Sequence, residues 1–140
     1  MRMTSKSHLT LVVLSLGLAS CAQPDDPGLV TNIEEFNQAV AALAPGDAVV
    51  LANGTWSDVE LTFKANGLPD QPIKLRAEEP GKVIITGESN LRLSGEHIIV
   101  SGLVFKDGYT PTSEVISFRT SKNELANHSR VTNTVIDNFS

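Results

Sequence analysis

Short runs of β-branched and apolar residues return along this chain at a nearly constant interval, and that interval limits the fold more than any other feature. Val49, Ile73 and Ile98 form one series of almost equal steps, and Val59 and Val83 form a second with the same step. Equivalent strands of stacked coils produce such a common period. The runs are Ala48 to Leu51, Val59 to Phe63, Ile73 to Leu75, Val83 to Thr86, His97 to Val100, Leu103 to Phe105, Val115 to Phe118, Arg130 to Asn133 and Val135 to Asn138, with turn-forming residues between them. A β-sandwich also has short strands, but its hairpins space them by roughly 8 to 12 residues with no register between two series. The expectation is an all-β chain, a right-handed, single-stranded parallel β-helix over residues 30–140. The next step of the first series, from Ile98 to Val131, is longer than those before it, so protrusions are expected at Asp107 to Ser113 and Ser121 to Asn127.

Composition agrees with thin layers. Aromatic residues make up 5% of the chain, with one Trp and one Tyr, so Val, Ile, Leu and Ala must fill the interior. A parallel coil stack leaves unpaired backbone at each end. At the start, Asn32-Ile33-Glu34-Glu35 reads as a helix N-cap with Glu at the third position, and Ile33, Phe36, Val40 and Leu43 follow at helical spacing until Pro45-Gly46. This short amphipathic helix is expected to cap the first coil. At the other end the sequence reaches Ser140 in strand-like residues with no closing segment, which reads as a truncated β-helix.

Residues 1–20 read as an address. Arg2 and Lys6 give a basic start, Leu9 to Leu18 an apolar run too short to span a bilayer comfortably, and Leu18-Ala19-Ser20-Cys21 a bacterial lipobox. Lipid on Cys21 would occupy the single cysteine, which has no disulfide partner within the chain. The alternative is a plain secretory signal with an incidental Cys. Residues 21–29 then form a lipidated tether, and Ala rather than Asp after the Cys favours the outer membrane, facing periplasm or cell surface. With Arg2 and Lys6 in the leader, the mature chain keeps fewer basic residues than the 11 of the precursor, against all 16 acidic ones. That balance disfavours nucleic acid, and it requires basic residues to be gathered locally if an acidic polysaccharide is the partner.

Three stretches carry a resemblance. They are Pro45-Gly46-Asp47-Ala48-Val49-Val50-Leu51-Ala52-Asn53-Gly54-Thr55-Trp56, Asn66-Gly67-Leu68-Pro69-Asp70-Gln71-Pro72-Ile73, and Val100-Ser101-Gly102-Leu103-Val104-Phe105-Lys106-Asp107-Gly108-Tyr109. In this order, and followed by Val131 to Phe139, they resemble the amino-terminal part of polysaccharide lyase family 6, a family of pectate-lyase-like solenoids that holds alginate lyases and chondroitinase B. The resemblance implies β-elimination next to a uronate. The C5 proton is weakly acidic, so the adjoining carboxylate must be neutralised before a base removes it. In the family, calcium held by Asn and Glu does this, with Lys as base and Arg assisting the leaving oxygen. Those residues are expected on coils beyond Ser140, so no catalytic or metal-binding residue is assigned within this chain. The implied partner is alginate, or alternatively dermatan or chondroitin sulfate. A noncatalytic β-helix lipoprotein that binds surface polysaccharide is the rival reading, and a pectin-type enzyme a third.

Among individual residues, Lys106, Arg119, Lys122 and Arg130 are candidate substrate contacts if stacking gathers them into a basic stripe, together with Lys74, Arg76 and Arg92. His97 and His128 each open a strand run with no carboxylate constellation expected around either, and read as turn histidines. Asp25-Asp26, Glu34-Glu35 and Glu78-Glu79 are adjacent pairs that do not converge as catalytic dyads. Asn90, Asn123, Asn127, Asn133 and Asn138 lie near expected turns, where stacked hydrogen bonds are their ordinary use.

Overall fold

The computed structural model describes residues 28–140; the leader and Cys21 lie outside them. Strand β1 (Leu29–Val30) precedes helix α1 (Ile33–Ala41), and the first coil follows as β2 (Ala48–Leu51), β3 (Gly54–Ser57) and β4 (Glu60–Asn66). The second coil is β5 (Ile73–Ala77), β6 (Val83–Glu88) and β7 (Asn90–Glu96). The third begins with β8 (Ile98–Ser101) and β9 (Leu103–Tyr109) and continues through β10 (Ile116–Ser117), β11 (Arg119–Ser121) and β12 (Glu124–Asn127). A fourth opens with β13 (Arg130–Thr132) and β14 (Val135–Phe139).

Each of the first three coils adds to all three sheets and the fourth to two of them, the sheets being β1-β2-β5-β8-β13, β3-β6-β9-β14, and β4 with β7, β10, β11 and β12. All ladders are parallel except β11 with β12. A parallel β-helix is therefore the architecture. Parallel pairing in register sets like residues above like, so Val49, Leu75, Val100 and Val131 form one column, and Trp56, Ile85, Phe105 and Ile136 another. The inner members of these columns are fully buried, with Val49, Leu75, Val100, Ile85 and Phe105 at 0% exposure. Ile136, in the last coil, is 52% exposed.

The register corrects the two-series expectation. Val49 stacks on Leu75, not on Ile73, and the strand after Val59 pairs with β7 rather than with the strand of Val83. The physical reason is that three sheets, not two, share the coil, and the corners between them absorb different lengths of chain. Along the first sheet Ala48, Lys74, Ile99 and Arg130 stand in line; along the second, Thr55, Ile84, Val104 and Val135 do. Extra chain in the third coil is found where expected, but Ser121 to Asn127 is not simply a protrusion. It is a hairpin whose return strand β12 rejoins the stack on β7, Ala126 opposite Gly95.

Several corners turn on one residue in the left-handed region: His97 (φ 51°), Gly102 (84°) and Asp107 (51°) in the third coil, and His128 (49°), Asn133 (48°) and Asn138 (47°) at the same places one coil later. Gly, Asn, Asp and His are the residues that tolerate this conformation best. Side chains bond from corner to corner, as in Asn138 Nδ2 to Asp107 Oδ1 at 2.7 Å. The turn asparagines Asn127 and Asn138 are used in this way, whereas Asn90 is buried within β7.

Helix α1 closes the first coil as expected. Asn32 Oδ1 accepts from Glu35 N at 2.9 Å, and Glu35 Oε2 in turn accepts from Thr31 N at 2.7 Å and Thr31 Oγ1 at 2.9 Å. These bonds, the backbone one first, hold the Glu35 carboxyl below its ordinary pKa. Phe36 is fully buried, and Ile33, Ala39, Val40 and Leu43 pack on the same core. The helix ends at Ala41, short of Leu43, and Gly46 (φ 91°) delivers the chain to β2. Strand β1 is an addition to the expected elements. It begins at Leu29, the last residue of the expected tether, and pairs in parallel with β2, so that Val50 N donates to Gly28 O at 2.7 Å and Ala52 N to Val30 O at 2.9 Å. Among the described residues no helix is long and apolar enough to cross a membrane.

Candidate functional site

Of the four basic residues singled out from the sequence, three lie on three different sheets and the fourth lies in a turn. Lys106 is on β9, with its Nζ 3.8 Å from Asp137 Oδ2, its in-register neighbour on β14. Arg119 starts β11, 3.6 Å from Glu114 Oε1. Lys122 sits in the turn of the β11–β12 hairpin, exposed, and Arg130 opens β13, exposed. The fold does not bring these four together. In the first sheet Lys74 and Arg130 share a column, with Ile99 between them. Arg92 is half-buried and donates to the Thr120 carbonyl, tying the hairpin to β7.

Two polar places stand out instead. The first is a shallow groove of about 430 Å³ along β4, β7 and the hairpin, lined by Lys64, Asn66, Glu96, Asn123, Glu124 and Asn127 among others. Lys64 Nζ donates to both Glu124 oxygens, at 3.0 and 2.9 Å, and Thr120 Oγ1 donates to Glu124 Oε2 at 2.9 Å while lying 3.0 Å from Ser94 Oγ. The hydrogen bond from Lys64, then that from Thr120, holds the Glu124 carboxyl below the usual glutamate value. Glu124 is therefore ionised at neutral pH and is not poised as a general acid. Its carboxylate and that of Glu96 would repel a uronate, while the groove's amides suit hydroxyl groups.

The second place is the corner between the third and first sheets. The rings of His97 and His128 stack with centroids 4.8 Å apart and planes 13° off parallel. Glu96 Oε2 lies 3.0 Å from His128 Nδ1, and Glu96 Oε1 accepts from Asn127 Nδ2 at 3.0 Å. The hydrogen bond from His128, then that from Asn127, holds the Glu96 carboxyl low. Arg130 and the two histidines line one hollow with Pro69 and Pro72. From the sequence, turn histidines with no carboxylate constellation are expected. The turn assignment holds, both residues being left-handed corners, but a carboxylate is there. It escapes a sequence reading because Glu96 and His97 lie a whole coil before Asn127 and His128, and only the coil register joins them. The signal available is that Ile99 and Arg130, like Asp107 and Asn138, have that same separation.

Calcium, which the resemblance implies, takes six to eight oxygen ligands. Among the described residues the acids and histidines that converge are Glu96, His97 and His128, a set with two imidazoles. That donor set does not fit calcium.

Residues 30–140 match the family model described as chondroitinase B. No curated protein matches. Among solved structures, the alginate lyase AlyGC of family PL6 is similar with 61% sequence identity and a TM-score of 0.78, over 79% of this chain and 15% of AlyGC. A mannuronic acid specific family 6 lyase from human gut microbiota has 33% identity and a TM-score of 0.73, over 79% of this chain and 26% of its own. A PL6 polysaccharide lyase from Pseudopedobacter saltans has 33% identity and a TM-score of 0.69, over 77% and 24%. The chain thus spans about a quarter or less of the length of these relatives. With the coil order, the parallel register and a family match over residues 30–140, this chain belongs to the chondroitinase B family, polysaccharide lyase family 6.

Proposed function

We propose that this chain forms the amino-terminal coils of an exported lyase that cleaves alginate by calcium-assisted β-elimination, and that lipid on Cys21 holds it at the outer membrane. The observation that carries the substrate is the 61% identity to an alginate lyase over 79% of the chain. Support for the anchor comes from the basic start, apolar run and lipobox of residues 1–21. In this reading the described residues serve as a rigid base. Helix α1 and β1 close one end of the stack, and the in-register columns set the angle at which later coils leave it. The cation that neutralises the uronate carboxylate, and the base that removes the C5 proton, are assigned to coils that correspond to the relatives' remaining length, where the family resemblance expects them.

The test is to read the gene beyond the codon for Ser140 and to assay its whole product on alginate, in calcium and in chelator, by the ultraviolet absorbance of the unsaturated uronate formed. Calcium-dependent product is the expected result. Binding of alginate with no product would support the noncatalytic polysaccharide-binding reading instead, and product from dermatan sulfate alone would move the substrate to a sulfated glycan.

A further inference from the structure

We propose that Glu96, His97 and His128 form a site for a borderline divalent cation of the Zn²⁺ class, which would clamp adjacent coils at their corner. The site does not depend on the lyase reading. It rests first on convergence, since one ligand atom from each of the three residues falls within a set no wider than 4.8 Å. It rests second on how the ligands are fixed. His97 N donates to Asn127 O at 3.1 Å and His97 O accepts from Ile73 N at 3.0 Å, so its backbone is bound to the coils on either side. Ile98 N donates to Ser129 Oγ at 3.2 Å, which secures the chain beside His128. The Glu96 carboxylate is oriented by Asn127 through one oxygen and faces His128 through the other, the arrangement by which outer partners aim a metal ligand.

A third argument comes from the corners themselves. The two other corner pairs of these coils are Gly102 with Asn133 and Asp107 with Asn138, so a left-handed turn needs no imidazole. At this corner both coils carry one. Two neutral imidazoles and a carboxylate suit Zn²⁺, Ni²⁺, Cu²⁺ or Fe²⁺, and are poor ligands for Ca²⁺ or Mg²⁺. The His128 side chain is 71% exposed, which leaves coordination positions open to water.

The experiment is a titration of the full chain with Zn²⁺ at neutral pH, followed by the imidazole proton resonances and by thermal melting. One ion per chain should bind, the two corner imidazoles should shift together, and the melting temperature should rise with Zn²⁺ concentration, while Ca²⁺ and Mg²⁺ at equal concentration do neither. His97→Asn with His128→Asn keeps residues that tolerate the left-handed corner and should abolish the effect. Asn127→Ala, which removes only the partner of Glu96, should weaken binding by about 10- to 100-fold. Absence of saturable binding to the unaltered chain would overturn the site, as would unchanged affinity in the double variant, since that would assign the ion elsewhere, His8 included. Should the double variant fail to fold, joint shifts of the two corner imidazoles in the unaltered chain decide for the site, and their absence decides against it.

Discussion

The ring of Phe36 lies 6.2 Å from that of Phe63, centroid to centroid, tilted by 37°, and both are fully buried. This contact joins α1 to the first coil, because Phe63 is an inward residue of β4. Phe36→Ala should therefore lower stability by about 3–5 kcal/mol, the range for deleting a buried ring, and Phe36→Asp by more. Chemical denaturation checks this. A midpoint unchanged by Phe36→Ala would mean that the helix does not seal the core.

Gly95 offers a second test, on register rather than on burial. Its φ is 113°, and a Cβ placed there would lie 1.9 Å from the carbonyl oxygen of Ala65, its partner across the ladder. Gly95→Ala must push β4 and β7 apart or rotate the backbone. A loss on the order of 3 kcal/mol is expected, with amide exchange accelerating first in β4, β7 and β12. Uniform acceleration across all three sheets would contradict a local origin.

Glu124 should titrate below an ordinary glutamate when its carboxyl carbon is followed by NMR, and Lys64→Met should return the midpoint toward the ordinary value. The sign follows from linkage. A carboxyl whose folded pKa is depressed stabilises the fold above its unfolded pKa, and that contribution is lost as pH falls through the folded value. The hairpin of β11 and β12 should consequently loosen in acid, below the normal glutamate range, with Thr120 and Ser94 reporting first. An ordinary midpoint in the unaltered chain would refute the Lys64 contact.

Cys21→Ser should abolish incorporation of a fatty-acid analogue and release the protein from the membrane fraction. Labelling that persists in this variant would place the lipid, or the membrane attachment, somewhere other than Cys21.

Which strands the sequence disclosed depended on what fills them. Strands such as β5 and β8 were legible because Ile73, Leu75, Ile98 and Val100 alternate with outward residues. Strand β7 was not, for in Asn90–Glu96 two of the inward or buried places belong to Asn90 and Ser94, and polar filling breaks the apolar pattern. Strand β3 has one apolar residue, Trp56, and β12 exposes Leu125 while Ala126 faces the stack. The recurrence of Val59 and Val83 at the same interval as Val49 and Ile73 paired a corner residue, just before β4, with the first residue of β6 in another sheet. Spacing alone carries no label for the sheet to which a strand belongs. The corner of Glu96, His97 and His128 was hidden for a related reason, since its members become neighbours only once the length of that coil is known.

That length has a genetic reading. From His97 onward the left-handed residues fall at even intervals, at His97, Gly102 and Asp107, and the same spacing returns at His128, Asn133 and Asn138. A tandem duplication of the DNA for residues 97–127 would insert a whole turn with every bend landing on a residue that accepts it. Solenoids of this kind can therefore lengthen by copying, and the copied cassette carries its own folding instructions in the positions of its bends.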